Sequence, residues 1–234
     1  MKLFTVARRN NPPQNWSWSD NKEAFQKAAI DLLDYFGDNT CSIKEKEIYV
    51  NAGKSKSTFA QNYNTLDDLL IKEPIADLKA VTETLISKHY NTEILKSDQL
   101  PLRTHTNGGV RMSDEAYAKR SCEFFSELFR DYLYRLCKDQ LLSLQLAARR
   151  LTPEQWAEIL KPMKKRVFHF GFFRFDGEEK EDMYLEFCGI FRQIIRKWWT
   201  NDNFSIDFKV RQKLSNELAF KLLNCKAVPS NNKQ

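Results

Sequence analysis

Between Lys54 and Tyr63 the chain sets a run of hydrogen-bonding side chains at helical spacing: Lys54, Ser55, Lys56, Ser57, Thr58, Gln61, Asn62 and Tyr63. Two kinds of contact are open to such a set. The ammonium groups of Lys54 and Lys56, the hydroxyls of Ser55 and Ser57 and the Tyr63 phenol suit anionic oxygens. Thr58, Gln61 and Asn62 offer donors and acceptors that match mixed polar edges. No acidic residue occurs from Tyr49 to Leu66, so the segment is locally positive.

The elements that position these residues are legible in their caps and apolar spacing. Ser42, with Glu45 three residues on, forms a capping box for a helix expected over Ile43 to about Ala52. Gly53 supplies a residue without a Cβ where that helix stops and the backbone turns. Ser55 caps the next helix, in which Phe59 and Tyr63 lie four apart and pack inward. Lys56, Ser57, Ala60, Gln61 and Asn62 are then left outward. Thr65 with Asp68 starts another helix, whose Leu66, Leu69 and Leu70 close over the aromatic pair.

Two helices across a short glycine turn make a helix-turn-helix, and a single helix with outward polar side chains fits the major groove of DNA. A plain helical hairpin in an all-α protein fits the same pattern. On the first reading Thr58, Gln61 and Asn62 touch bases. Ser55, Lys56 and Tyr63 fix phosphates, with Lys44, Lys54 and Ser57 beside them.

The segments AFQKAAIDLLDYFGDN and EIYVNAGKSKSTFAQNYNTLDDLL resemble the N-terminal DNA-binding domain of TetR-type transcriptional repressors. Ala28, Ala29, Leu32, Leu33 and Phe36 match that family's first helix, of AA-x-x-L-F type. Ile48, Ala52 and Gly53 match its IA-x-x-AG helix end, and Ser55, Lys56, Thr58, Phe59 and Tyr63 its recognition helix. Leu69 and Leu70 match the short helix that follows. Ala60 stands where the family has a tyrosine that touches the DNA backbone, and Leu66 where a phosphate-contacting lysine is common. Both losses weaken the expected grip.

The resemblance implies a dimeric repressor whose larger helical domain holds an effector site, and the terminal helices around GIFRQIIRKW resemble the family's four-helix dimer interface. A two-fold protein reads both halves of a palindrome. The rival reading is a helical protein-interaction module with a degenerate helix-turn-helix.

The 234 residues carry only seven glycines and seven prolines, which favours an all-α fold. The expected division is a basic arm over 1–19, a helix-turn-helix domain over 20–72, a helical ligand-binding and dimerisation domain over 73–228, and a disordered tail over 229–234. The arm carries Lys2, Arg8 and Arg9 and no acid, and either follows a minor groove or is a leader around Trp16 and Trp18. Asp20 with Glu23 caps the first helix, whose stripe is Phe25, Ala28, Ala29, Leu32, Leu33 and Phe36, and Gly37 ends it. Pro74 starts or kinks a helix that runs to about Tyr90. Residues 97–113 form a polar connection.

A long apolar helix follows to about Leu151, with a break near Lys138 or Asp139, and Thr152, Pro153 and Gln155 mark a restart. Helices are expected over 178–199, with Gly189 inside, and over about 206–224. The aromatic run Val167 to Phe175 is core, interface or a pocket for an apolar or aromatic effector. Phe129, His169, Phe172 and Arg174 are its candidate contacts.

The net charge of +6 fits a nucleic-acid partner, although Met1 to Lys72 is close to neutral. Five scattered cysteines read as free thiols, and three histidines show no metal-ligand spacing. No cofactor is expected, no catalytic constellation appears, and no run is long enough for a membrane span. A cytoplasmic protein is expected.

Overall fold

A computed structural model describes residues 18–36, 43–91, 114–167 and 178–224. Its described residues form eight α-helices and no strand: α1 (Trp18–Phe36), α2 (Glu45–Asn51), α3 (Lys56–Asn62), α4 (Glu73–Asn91), α5 (Asp114–Arg150), α6 (Pro153–Val167), α7 (Glu178–Asp202) and α8 (Phe208–Asn224). The fold is all-α, as composition implies. No helix among the described residues is long and apolar enough to cross a membrane. The chain divides into two compact units, Met1–Leu66 and Asp67–Gln234, a few residues ahead of the boundary expected at Lys72.

In the first unit α1 packs against both α2 and α3. It begins at Trp18, so Asp20 sits inside the first turn, where a carboxylate still faces the positive helix end. Glu23 pairs with Lys27 one turn on rather than closing a capping box. Phe25, Ala28, Ala29, Ile30 and Leu33 are buried. Leu32 and Phe36, expected in the stripe, are half-buried, and Ile30 takes the inward place. The centre of the unit is aromatic. Phe25 meets Phe59 edge-on at 5.3 Å and Tyr63 edge-on at 5.9 Å, and Phe59 lies 5.4 Å from Tyr63.

The second unit opens with a π-helical turn, Asp68–Lys72, that runs without interruption into α4. Here the Glu73 N–H donates to the Asp68 carbonyl five residues back. Pro74 explains the wide turn. In an α register its ring would collide with the Leu70 carbonyl and its missing N–H would leave that acceptor empty. Pro74 stands in the first turn of α4, where a helix start is expected. It follows a turn that makes room for it.

Helix α5 packs against α4, α7 and α8, while α6 packs against α4 and α7. The shared core includes Phe125, Phe129, Tyr132, Trp156, Phe187, Phe191 and Trp198. The break in α5 falls at Gln140 (φ −143°, ψ 44°), one residue beyond the expected place. Leu141, counted in the apolar run, is 41% exposed just after that break. The restart at α6 is the expected reciprocal cap: Thr152 N–H donates to Gln155 Oε1 at 2.9 Å, and Gln155 N–H to Thr152 Oγ1 at 3.4 Å. Helix α8 starts at Phe208 behind Asp207, whose Oδ1 accepts the Lys209 and Val210 N–H groups.

Polar pairs fix the register of this core. Thr82 Oγ1 lies 2.7 Å from the buried Tyr132 hydroxyl and donates to the Leu78 carbonyl. Ser143 donates to Asp77 at 2.6 Å, and Arg192 Nε donates to the Leu151 carbonyl at 2.7 Å. Cys137 and Cys188 are buried free thiols, each pushed up to about 12 by desolvation, and Cys122 is partly exposed. Cys41 and Cys225 lie outside the described residues.

Truncating Phe25 removes the ring that both Phe59 and Tyr63 touch. Phe25→Ala is expected to cost about 3–5 kcal/mol. In a unit this small that exceeds its margin, so far-UV circular dichroism and amide exchange should show α1–α3 unfolded while the second unit keeps its protected amides.

Candidate nucleic-acid interface

Lys44, not Ser42, stands at the N-cap of α2, and Ser42 lies outside the described residues. The carboxylate that returns a bond is Glu47, which accepts the Lys44 N–H at 2.9 Å. Ile43 and Ile48 are both buried, at the spacing of a hydrophobic staple, and this apolar pair selects the later of two overlapping acid registers.

At its other end α2 closes in a Schellman motif. Gly53 N–H donates to the Val50 carbonyl at 3.0 Å and Lys54 N–H to the Tyr49 carbonyl at 2.8 Å. Gly53 takes φ +65°, where only glycine is unstrained, and a Cβ there would meet nothing within 4 Å. The glycine is required by backbone conformation alone. Asn51 Nδ2 reaches the Ala28 carbonyl at 3.4 Å and ties the end of α2 to α1.

Ser55 caps α3 as expected. Its Oγ accepts the Thr58 N–H at 3.0 Å and lies 2.9 Å from Thr58 Oγ1. With Phe59 and Tyr63 buried, the exposed residues of α3 are Lys56, Ser57, Ala60 and Gln61. These four share one side of the helix.

The other expected contacts are placed differently. Tyr63 is 7% exposed, with its ring against Phe25 and Phe59, so it serves the core rather than a phosphate. Thr58 is half-buried beside the Ser55 hydroxyl. Asn62 is half-buried too: its Nδ2 donates to the Thr58 carbonyl at 2.7 Å, and its Oδ1 is enclosed without a partner. An amide bound to its own helix backbone does not reach outward. Helix geometry is the cause, since four residues back is within reach of an Asn side chain.

Lys44 is exposed, whereas Lys54 is half-buried. Desolvation lowers the Lys54 ammonium below its usual range, and the field of the Asp20 carboxylate opposes that. The acid-free stretch in sequence is therefore not acid-free in space. Asp20 lies 34 positions upstream in the numbering and reaches Lys54 through the packing of α1.

Of the effector candidates, Phe129 is fully buried between Phe125 (6.4 Å) and Phe187 (5.7 Å), a core position. His169, Phe172 and Arg174 lie outside the described residues, as do positions 1–17 of the arm expected over 1–19, whose last two residues belong to α1, and the tail over 229–234. No protein-family model, no curated protein and no solved structure matches the chain.

Gly53→Ala adds no clash, so its cost is that of a left-handed backbone, about 1–2 kcal/mol. Ser55→Ala removes the cap of α3 and costs about 1 kcal/mol. Chemical denaturation followed by helix signal should give both values, with the two effects close to additive only if turn and cap act independently.

Proposed function

We propose that the chain is a sequence-specific double-stranded-DNA-binding regulator, acting as a dimeric repressor on a palindromic site. The observation that carries this reading is the outward face of α3. Lys56, Ser57, Ala60 and Gln61 stand clear of a helix whose opposite side is fixed by Phe59 and Tyr63, behind a glycine turn and a serine cap. A helix fixed in this way can lie in a major groove with polar side chains toward base edges.

In this reading Gln61 reads bases, with Ser57 beside it. Lys44, Lys54, Lys56 and the Ser55 hydroxyl hold phosphates. The TetR-type resemblance supports the same assignment of parts: first unit for DNA, second unit for self-association and for a small apolar or aromatic effector. The rival, a protein-interaction module that keeps the shape and has lost the grip, draws on Ala60 and Leu66, which replace two of the family's backbone contacts.

Salt separates the two readings. A DNA-binding dimer loses affinity steeply as salt rises, with a slope near 0.9 per phosphate neutralised. Fluorescence anisotropy on a duplex recovered by selection from a random pool should give a log–log slope of about −4 or steeper. Lys56→Ala, one substitution in each copy, should make it shallower by about 2, one unit per lysine lost. A flat salt response and no selected site would leave the interaction-module reading.

The proposed dimer can be tested at Gly189. This glycine lies inside α7, and a Cβ there would meet nothing within 4 Å, so the protomer itself does not require it. Gly189→Gln is expected to leave the melting temperature of the protomer unchanged or slightly higher, because glycine is a poor helix former. If another copy packs on this face, sedimentation equilibrium should show self-association weakened at least about tenfold, a loss of about 1.4 kcal/mol.

A further inference from the structure

The exposed face of α3 holds more than a generic set of polar groups. Ser57, Ala60 and Gln61 stand at i, i+3 and i+4, on the side away from Phe59 and Tyr63, and all three are exposed. Thr58 and Asn62, the other residues able to read bases, are half-buried and bonded within the helix or its cap. Lys56 is exposed on the same side and holds a phosphate in the reading above, so the surface left to face base edges is one primary amide, one methyl and one hydroxyl, with no arginine or carboxylate among them.

Each of these groups has a chemical match. A glutamine amide can pair with adenine through N6 and N7 together, one donor and one acceptor in register. A small methyl packs on the C5-methyl of thymine, and a serine hydroxyl accommodates either base. Guanine presents two acceptors in the major groove and is served best by arginine or lysine. Cytosine presents a donor and is served by a carboxylate. Gln61 and Ala60 both stand on the exposed side, about 1.5 Å apart along the helix axis and so within one base-pair step of about 3.4 Å, which lets both reach the same step.

We infer that the α3 face reads an A·T step, with Gln61 paired to adenine and the Ala60 methyl against the C5-methyl of an adjacent thymine. This rests on the DNA-binding reading proposed above and adds the base composition at the centre of the half-site. It also gives Ala60 a role of its own. The residue that lacks a backbone-contacting ring supplies an apolar contact that a larger side chain would block.

The test uses the full chain and duplexes recovered by selection from a random double-stranded pool. The wild type should enrich sites with adenine next to thymine in each half. Gln61→Arg, whose fold is checked by circular dichroism, should change the preferred base at one position from adenine to guanine. It should also bind the original duplex about tenfold to hundredfold more weakly. Replacing the adjacent thymine by deoxyuridine removes only the methyl. Wild-type binding should then fall about fourfold, the worth of one buried methyl, while Ala60→Gly should bind both duplexes equally. Selection of G·C at that position, an unchanged preference in Gln61→Arg, or indifference of the wild type to deoxyuridine would overturn the inference and leave DNA binding standing. Failure of every duplex to bind, at low salt as well, would overturn both.

Discussion

The first unit depends on one contact set, the three rings of Phe25, Phe59 and Tyr63. Helices α2 and α3 have seven residues each, well short of the roughly twelve to fifteen at which a free helix becomes stable in water. Their order comes from packing. Because Phe59 on α3 and Tyr63 at its C-cap lie four residues apart and both meet Phe25 edge-on, they fix the rotation of α3 about its own axis. A slip of one residue turns a helix by about 100°, which would carry Gln61 off the outward face into the half-buried place of Asn62. The outward chemistry is a consequence of the inward rings.

The turn between α2 and α3 adds the second constraint, and it is local. Gly53 closes the Schellman pair of hydrogen bonds, and Ser55 opens α3 two residues later. So short a link leaves the chain few ways to connect the helices, and the rings select among them. The second unit solves a larger version of the same problem with buried polar pairs. Thr82 with Tyr132 and Ser143 with Asp77 pin α4 to α5 at specific heights, where an apolar seam alone would allow sliding.

Signals confined to a few residues were legible in the sequence. The turn at Gly53, the Ser55 cap, the Thr152 and Gln155 cap and the inward pair Phe59 and Tyr63 each depend on neighbours within one turn. Readings failed where two local patterns competed or where distant chain decided. Ser42 and Lys44 each stand three residues before a glutamate, and the burial of Ile43 and Ile48 favours the second. Gln61 and Asn62 look alike as amides, yet only the shorter one has its amide on the carbonyl four residues back. The approach of Asp20 to Lys54 belongs to the tertiary fold and has no local signature. The π turn ahead of Pro74 has a local cause, but a proline at that place fits a kink or a new start equally well.

The sparse charge of the outward face links the two halves of the proposed function. Among the described residues beside α3, one copy offers Lys44, Lys54 and Lys56, and Lys54 is already half-buried in the field of Asp20. Each neutralised phosphate contributes through counterion release, so two or three per copy sustain only weak binding at physiological salt. A second copy doubles the phosphate contacts and the base contacts and adds no new kind of interaction. The affinity of a regulator is reached on this face only if two copies bind together. DNA recognition by α3 and self-association through the second unit are therefore one hypothesis physically: a protomer that stayed single would have the shape of a reader without the grip.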